Sequence, residues 1–286
     1  MTYEEKNFIC ARKLIEYLSP LDTGLWAKRI FRGHGCSSFG LIPSVVRYSP
    51  CFNESTDTQL GASINGHVHF ELSLLDSFLD GCDASGIQIP GDSPHLRNQL
   101  QNYFLDNSLF GDFADWPSSS AFPVLATAQH HGIPTCLLDW SKRSYVAAYF
   151  AASQALRESQ CPSPQSDTLC IWSLNITNHR HWSQVKYVET QGFVSINRAS
   201  QDGVFTATAL GAQWGKASDA ALENFEELYR PSQSGRPGLS KYSLPRSEAS
   251  HLLEICAAFG VKGSTLFPGY EGVAREVEDM RLVKCS

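Results

Sequence analysis

The chain has 286 residues, 42% of them hydrophobic and 18% charged, and a formal net charge of -6. That length buries a substantial core, and the acidic balance argues against a general basic surface for nucleic-acid backbone while leaving room for a local basic site. The apolar runs are too short for a membrane span, and acids stand where a signal peptide would carry its apolar core. A cytoplasmic protein without membrane contact is therefore expected. The nine cysteines are dispersed and form no Cys-x-x-Cys pair, which points to reduced thiols.

In chain order, the N-terminal run to Leu18 reads as an amphipathic helix with Ile9, Leu14, Ile15 and Leu18 on one face. Trp26 to Phe31 reads as a strand ending in Arg32-Gly33-His34-Gly35, where glycines permit sharp turns and close approach of a ligand. Pro43 with Ser44 suits a helix start, and residues 49–65 read as a loop. His67 to Leu79 and Leu96 to Leu105 read as helices joined by a loop from Gly81 to Pro94. Phe122 to Gln129 is a further helix.

The run Gln129 to Ala152 is the most informative stretch. Gln129, His130 and His131 precede a turn at Gly132 and Pro134. Leu137 and Leu138 form a short apolar strand, which Asp139, Trp140 and Ser141 interrupt. Val146, Ala147, Phe150 and Ala151 then recur at helical spacing. A strand end that brings an Asp and a Ser to a helix entrance suits ligand binding, because the first helical N–H groups point outward there. Simple capping by Ser141 or Asp139 is the competing reading.

Beyond a polar loop at residues 157–167, Leu169 to Ile176 alternates with period two and reads as a strand. Val185 to Val188 and Gly192 to Ile196 are weaker strand candidates. Asn197 to Gly203 is a polar knot before Val204-Phe205-Thr206, and residues 230–240 read as a loop. Glu248 to Phe259 is a helix stopped by Gly260. Leu266 to Gly269 is a turn, and Val273 to Leu282 a final helix. The pairs His67-x-His69 and His179-x-His181 lack a third ligand cluster, so no metal is expected.

Ile30-Phe31-Arg32-Gly33, followed by Leu41-Ile42-Pro43-Ser44 and Arg47, resembles the opening of the FRG domain family. The helix Phe122-Pro123-Val124-Leu125 and the run from Gln129 to Trp140 resemble its central signature. Arg198 with Gln201-Asp202-Gly203-Val204-Phe205, and Gly260-Val261 with Ser264 to Pro268, resemble its later segments. Cys136 stands where the family usually has Arg, and Ser141 where it usually has Thr. Members of that family are linked to phage defence and toxin systems. The resemblance therefore implies a toxin or effector working in anti-phage defence or with an antitoxin or chaperone partner.

The order of the polar knots is also similar to the plan of ADP-ribosyltransferases: an early-strand Arg, a Ser or Thr on the next core strand, a helix, and a Glu on a later strand. This is a likeness of layout. It implies an α+β fold, a single domain over residues 1–286 whose central mixed β-sheet core resembles the ADP-ribosyltransferase fold. The core would span residues 26–282, with a helical N-terminus and a helical insertion at 66–120.

It also implies NAD as substrate and a macromolecular target, whether RNA, DNA or protein. Arg32 would bind pyrophosphate beside Gly33, Ser44, Arg47, Gln129, His130 and Arg198, with Trp140 and Tyr149 as a ring wall. Ser141 and Gln201 would orient the ribose. The third knot lacks Glu, so Asp139, Asp202 or Glu271 would supply the charge that stabilises an oxocarbenium-like state. Several alternatives stay open. Arg32 and Asp139 could form a buried ion pair, Trp140 could be core, Gln129 and the histidines could brace the turn, and Arg47 and Arg198 could be surface residues. At the level of function, a non-catalytic sensor of a nucleotide or phage component is the alternative. A hydrolase built on His130, His131 and Asp139 ranks last.

Overall fold

Seven strands, β1 (Glu4–Asn7), β2 (Arg29–His34), β3 (Leu137–Ser141), β4 (Thr168–Asn175), β5 (Val185–Val188), β6 (Gly203–Thr208) and β7 (Leu239–Pro245), form one mixed sheet. Their order is β1-β7-β4-β2-β3-β6-β5; β1 runs parallel to β7, and every other neighbouring pair is antiparallel. The computed structural model describes residues 3–19, 21, 28–48, 64–105, 116–158, 167–177, 179, 185–189, 196–208, 226, 229 and 238–285; at 64, 65, 104, 105 and 196–198 it describes the backbone alone. Trp26, the strand candidate from Gly192 to residue 195 and the greater part of the three loops near 49–65, 157–167 and 230–240 lie outside the described residues.

Side chains alternate across a strand, and the register assigns them to two faces. Phe31 and Gly33 of β2 share a face with Leu137, Asp139 and Ser141 of β3 and with Phe205 and Ala207 of β6. Two groups of helices cover this face. On one half lie α1 (Ala11–Tyr17), α6 (Ser144–Arg157) and α8 (Ala249–Ala258), packed on Phe31, Leu169, Ile171, Tyr242 and Leu244. On the other lie α3 (Ile64–Ala84), α4 (Pro94–Leu105) and α5 (Phe122–His130), packed on Leu137, Val188, Phe205 and Ala207. Ile30, Leu138, Trp140, Cys170, Trp172 and Val204 form the core of the opposite face with Leu41 and Tyr229. The short helices α2 (Ser44–Tyr48), α7 (Ile196–Gln201) and α9 (Gly263–Leu266), and the last helix α10 (Tyr270–Cys285), complete the described elements.

The sheet is not continuous in strength. β2 pairs with β4 along its whole length and β3 pairs with β6 along its whole length. Between β2 and β3, however, the only matched pair is Phe31 with Ser141. Beyond it the strands part, under the gap between the two helix groups.

A buried carboxylate fastens the helical insertion to the sheet. Glu71 of α3, fully buried, accepts the Trp116 indole N–H at 2.8 Å and the backbone N–H of Cys136 at the entrance to β3. Cys136 occupies the place where the FRG resemblance expects an arginine, so Glu71 has no cation there. Burial raises its pKa against the effect of both hydrogen bonds.

Four expectations change. The N-terminal run opens as a strand, not a helix: Glu4 to Asn7 pair through the main chain with β7, and their exposed side chains carry no apolar signal. Helix α1 then begins at Ala11, burying Leu14 and Ile15 and leaving Ile9 exposed. Arg32 to His34 are the closing residues of β2 and Asp139 to Ser141 the closing residues of β3, paired within the sheet and not interruptions of it. Leu239 to Pro245 is a central strand where part of a loop was expected, and the knot at Asn197 includes helix α7. Cys36 is disulfide-bonded, which departs from the expectation of reduced thiols throughout; Cys10, Cys82, Cys136, Cys170, Cys256 and Cys285 are free.

Candidate functional site

A cleft of about 1100 Å³ lies where β2 and β3 part. Its floor is Phe31 to His34, Asp139 to Ser141 and Gly203 to Phe205; its sides come from Gln129 and His130 of α5 and from Ala147, Phe150 and Gln154 of α6. Its far end is closed by Phe267, Glu271 and Arg275.

Arg32 spans the split. Its Nη1 donates to the Asp139 carbonyl oxygen at 2.7 Å and stands 3.9 Å from Asp139 Oδ2. Its Nε donates to Nε2 of His34 at 2.9 Å. His34 is buried, and burial followed by the Arg32 charge holds its pKa well below the usual 6.5. The ring is therefore neutral. Its Nδ1 lies 3.1 Å from the Phe39 carbonyl oxygen, so Nδ1 carries the proton and Nε2 is free to accept from Arg32. Burial also lowers the Arg32 pKa, partly offset by Asp139, yet a guanidinium stays charged in proteins.

Arg32 and Asp139 do pair across the two strands, but the Asp139 side chain is 66% exposed, so the ion pair is only half-buried. Gln129 orients this carboxylate: Nε2 donates to Oδ2 at 2.7 Å, while its Oε1 accepts from the Thr135 hydroxyl. Ser141 Oγ donates to the Gln201 carbonyl at 2.7 Å and accepts the Arg143 N–H at 2.9 Å. The hydroxyl thus ties β3 to α7 and to the entrance of α6, with one lone pair left toward the cleft. Gln201 lines the cleft and donates through Nε2 to the Leu266 carbonyl.

Other sequence-derived candidates sit elsewhere. Asp202 is exposed, in left-handed backbone with φ of 48°, and is not among the cleft residues. Tyr149 is 1% exposed and donates to Asp279 Oδ2 at 2.7 Å, so it cannot wall a ligand. Trp140 touches the cleft, but its ring is buried and its Nε1–H donates to Thr206 at 2.9 Å. Gly33 serves the approach of a helix more than of a ligand: a Cβ there would lie 2.0 Å from the Ala147 carbonyl oxygen. Ser44 exchanges hydrogen bonds with the Thr135 backbone and faces a smaller side pocket with Arg47. His130 is exposed at the cleft rim, its pKa lowered by burial and then by His131. The Arg198 side chain lies outside the described residues.

His34, Gln154, Phe150, Phe267 and Arg275 were not singled out from the sequence. His34 follows Arg32 by two, which on one strand places both on the same face; that signal was available. At the far end Phe150 and Phe267 meet edge to face with ring centroids 6.0 Å apart, and the Arg275 guanidinium lies 4.2 Å from the Phe267 centroid. The ring contact joins residues more than a hundred positions apart, which no local pattern reveals. Among the described residues no group of His, Cys, Asp and Glu could hold a metal ion.

Compared with known families, one segment of the chain finds a match. Residues 27–160 match the FRG domain. The match supports the FRG family and contains Arg32, His34, Gln129, Asp139 and Ser141, and so one whole side of the cleft and most of its floor. Gln201 and the far wall on α9 and α10 lie beyond the matched FRG domain. No curated protein and no solved structure matches the chain.

Proposed function

We propose that the cleft binds NAD and that the chain is an ADP-ribosyltransferase acting on a macromolecule in a defence or toxin role. One observation carries this reading: Arg32 on β2, Ser141 on β3 and Gln201 before β6 come from strands adjacent in the sheet and meet in one cleft, where the sheet is split. That is the layout to which the sequence is similar. The volume of about 1100 Å³, just above the range of about 300–1,000 Å³ usual for small-molecule sites, suits a dinucleotide.

Arg32 offers its cation to the pyrophosphate. Phe150 and Phe267, with their polar neighbours Gln154 and Arg275, offer a flat wall to a ring. Asp139, held by Gln129, supplies negative charge beside the glycosidic carbon. In the reaction the bond from ribose C1′ to nicotinamide breaks and nicotinamide leaves with the electron pair. A nucleophile of the target then bonds to C1′ and gives up its proton.

A second reading has its own support. The polar side chain that reaches the cleft just before β6 is Gln201, at the end of α7, and the neighbouring Asp202 stays outside it. A non-catalytic nucleotide-binding module fits that composition. Incubation with NAD labelled on its ADP-ribose half separates the two. Nicotinamide release with label transfer, both lost in Arg32→Ala, is expected of the transferase. Saturable binding without release would favour the binding module.

A further inference from the structure

A side pocket of about 190 Å³ adjoins the cleft. The two share Arg32, Arg47, Gln129 and Asp139 as a common threshold. Behind the threshold, the side pocket is walled by Ile133, Pro134, Leu137 and Leu138, with Tyr48 at its border. Its volume is below the range of about 300–1,000 Å³ for a whole small-molecule site, so it takes a fragment such as one ring.

Three features define what would enter. The Tyr48 side chain is large and exposed, at 54%. Its neighbour Arg47 is exposed and makes no ion pair among the described residues; its closest charged-group contact is with the Tyr48 ring, 5.9 Å to the centroid. Asp139 stands on the threshold with Oδ2 held by Gln129, and among the described residues no hydrogen bond engages Oδ1. An unpaired guanidinium awaits an anion from outside. An exposed aromatic beside an apolar slot awaits a flat ring. A carboxylate between both compartments can accept a proton from whatever attacks across the threshold.

We infer that the side pocket is the acceptor subsite and that it takes one nucleotide unit of single-stranded nucleic acid. A base would stack on Tyr48 over the apolar slot, its phosphate would meet Arg47, and a base or sugar nucleophile would face the cleft beside Asp139. Base and phosphate together match a ring site beside a cation, here the exposed Tyr48 and Arg47. The net charge of -6 is compatible with this, since one local contact and one stacked base replace a broad basic track. The transfer step in this inference rests on the NAD reading; the binding does not.

The test uses the whole chain and fluorescent single-stranded RNA and DNA oligomers without NAD, followed by the same oligomers with labelled NAD. The expected result is saturable oligomer binding. Arg47→Ala should weaken it roughly tenfold and lower the slope of log affinity against log salt by about 1. Tyr48→Ala should weaken it by roughly 5- to 150-fold with an unchanged salt slope, a split that unfolding would not produce. Arg47→Lys should restore part of the salt slope. Absent oligomer binding, or variants that bind as tightly as the native chain, overturns the subsite; so does label delivered to protein alone. Oligomer binding that depends on Arg47 without nicotinamide release leaves the subsite standing and removes the NAD reading.

Discussion

His34 decides which way the Arg32 guanidinium faces. With Nδ1–H committed to Phe39, its Nε2 holds Arg32 Nε and leaves the terminal nitrogens to the split. His34→Gln should keep an acceptor for Arg32 and most NAD affinity, whereas His34→Phe should lose roughly tenfold. The sign of the pH effect follows from the depressed His34 pKa. Its stabilising contribution is present above the ordinary value of about 6.5 and is lost as pH falls from there toward the depressed one. Urea melts should therefore show stability dropping on acidification below about pH 6.5, with a shallower drop in His34→Gln. Glu71 has the opposite sign. Its raised pKa means that its contribution is full below the ordinary 4.5 and declines as pH rises through the raised value. Glu71→Gln should remove that slope, at most about 1.4 kcal/mol per pH unit.

Two element contacts set the width of the cleft. On one side β2 lies against α6 with no side chain between, since Gly33 and Gly35 face Ala147, Ala151 and Ala155. Gly33→Ala should destabilise by at least about 1–3 kcal/mol, the usual overpacking cost, because the obstructing atoms are helix backbone. On the far side a single carboxylate docks α10 on α6: Asp279 accepts from Tyr149, Ser153 and Arg157, one turn apart along α6. Asp279→Ala should cost about 3 kcal/mol in thermal or urea unfolding, the lower end for breaking a buried pair, since Arg157 is partly exposed. It should also weaken NAD binding, because α10 carries Glu271 and Arg275 into the cleft. Unchanged stability in that variant would mean that α10 is held by its apolar contacts alone.

At the scale of the molecule, the sequence made the helices and the strands β3, β4 and β6 legible, because their apolar residues recur at period 3.6 or alternate. It hid β1 and the role of β7, whose pairing is made by main chain and whose side chains do not advertise it. Arg32, Asp139, Ser141, Gln129 and Gln201, named from motif order, line one cleft. The sequence misplaced Tyr149 and Asp202, because helical period identifies a buried face without saying that a carboxylate from α10 will occupy it, and because a left-handed turn swings Asp202 away. The parting of β2 from β3 has no local signature at all. It follows from two helix groups that cover separate halves of one sheet face.

Calorimetric titration with NAD tests the proposed role of Arg32 in holding NAD at this split. The native chain should bind at one site and gain thermal stability with rising NAD. Arg32→Ala should fold and lose affinity by roughly 10- to 150-fold, the worth of a hydrogen bond to a charged group. A folded Arg32→Ala variant that binds NAD as tightly as the native chain, or a native chain that binds none, would contradict it.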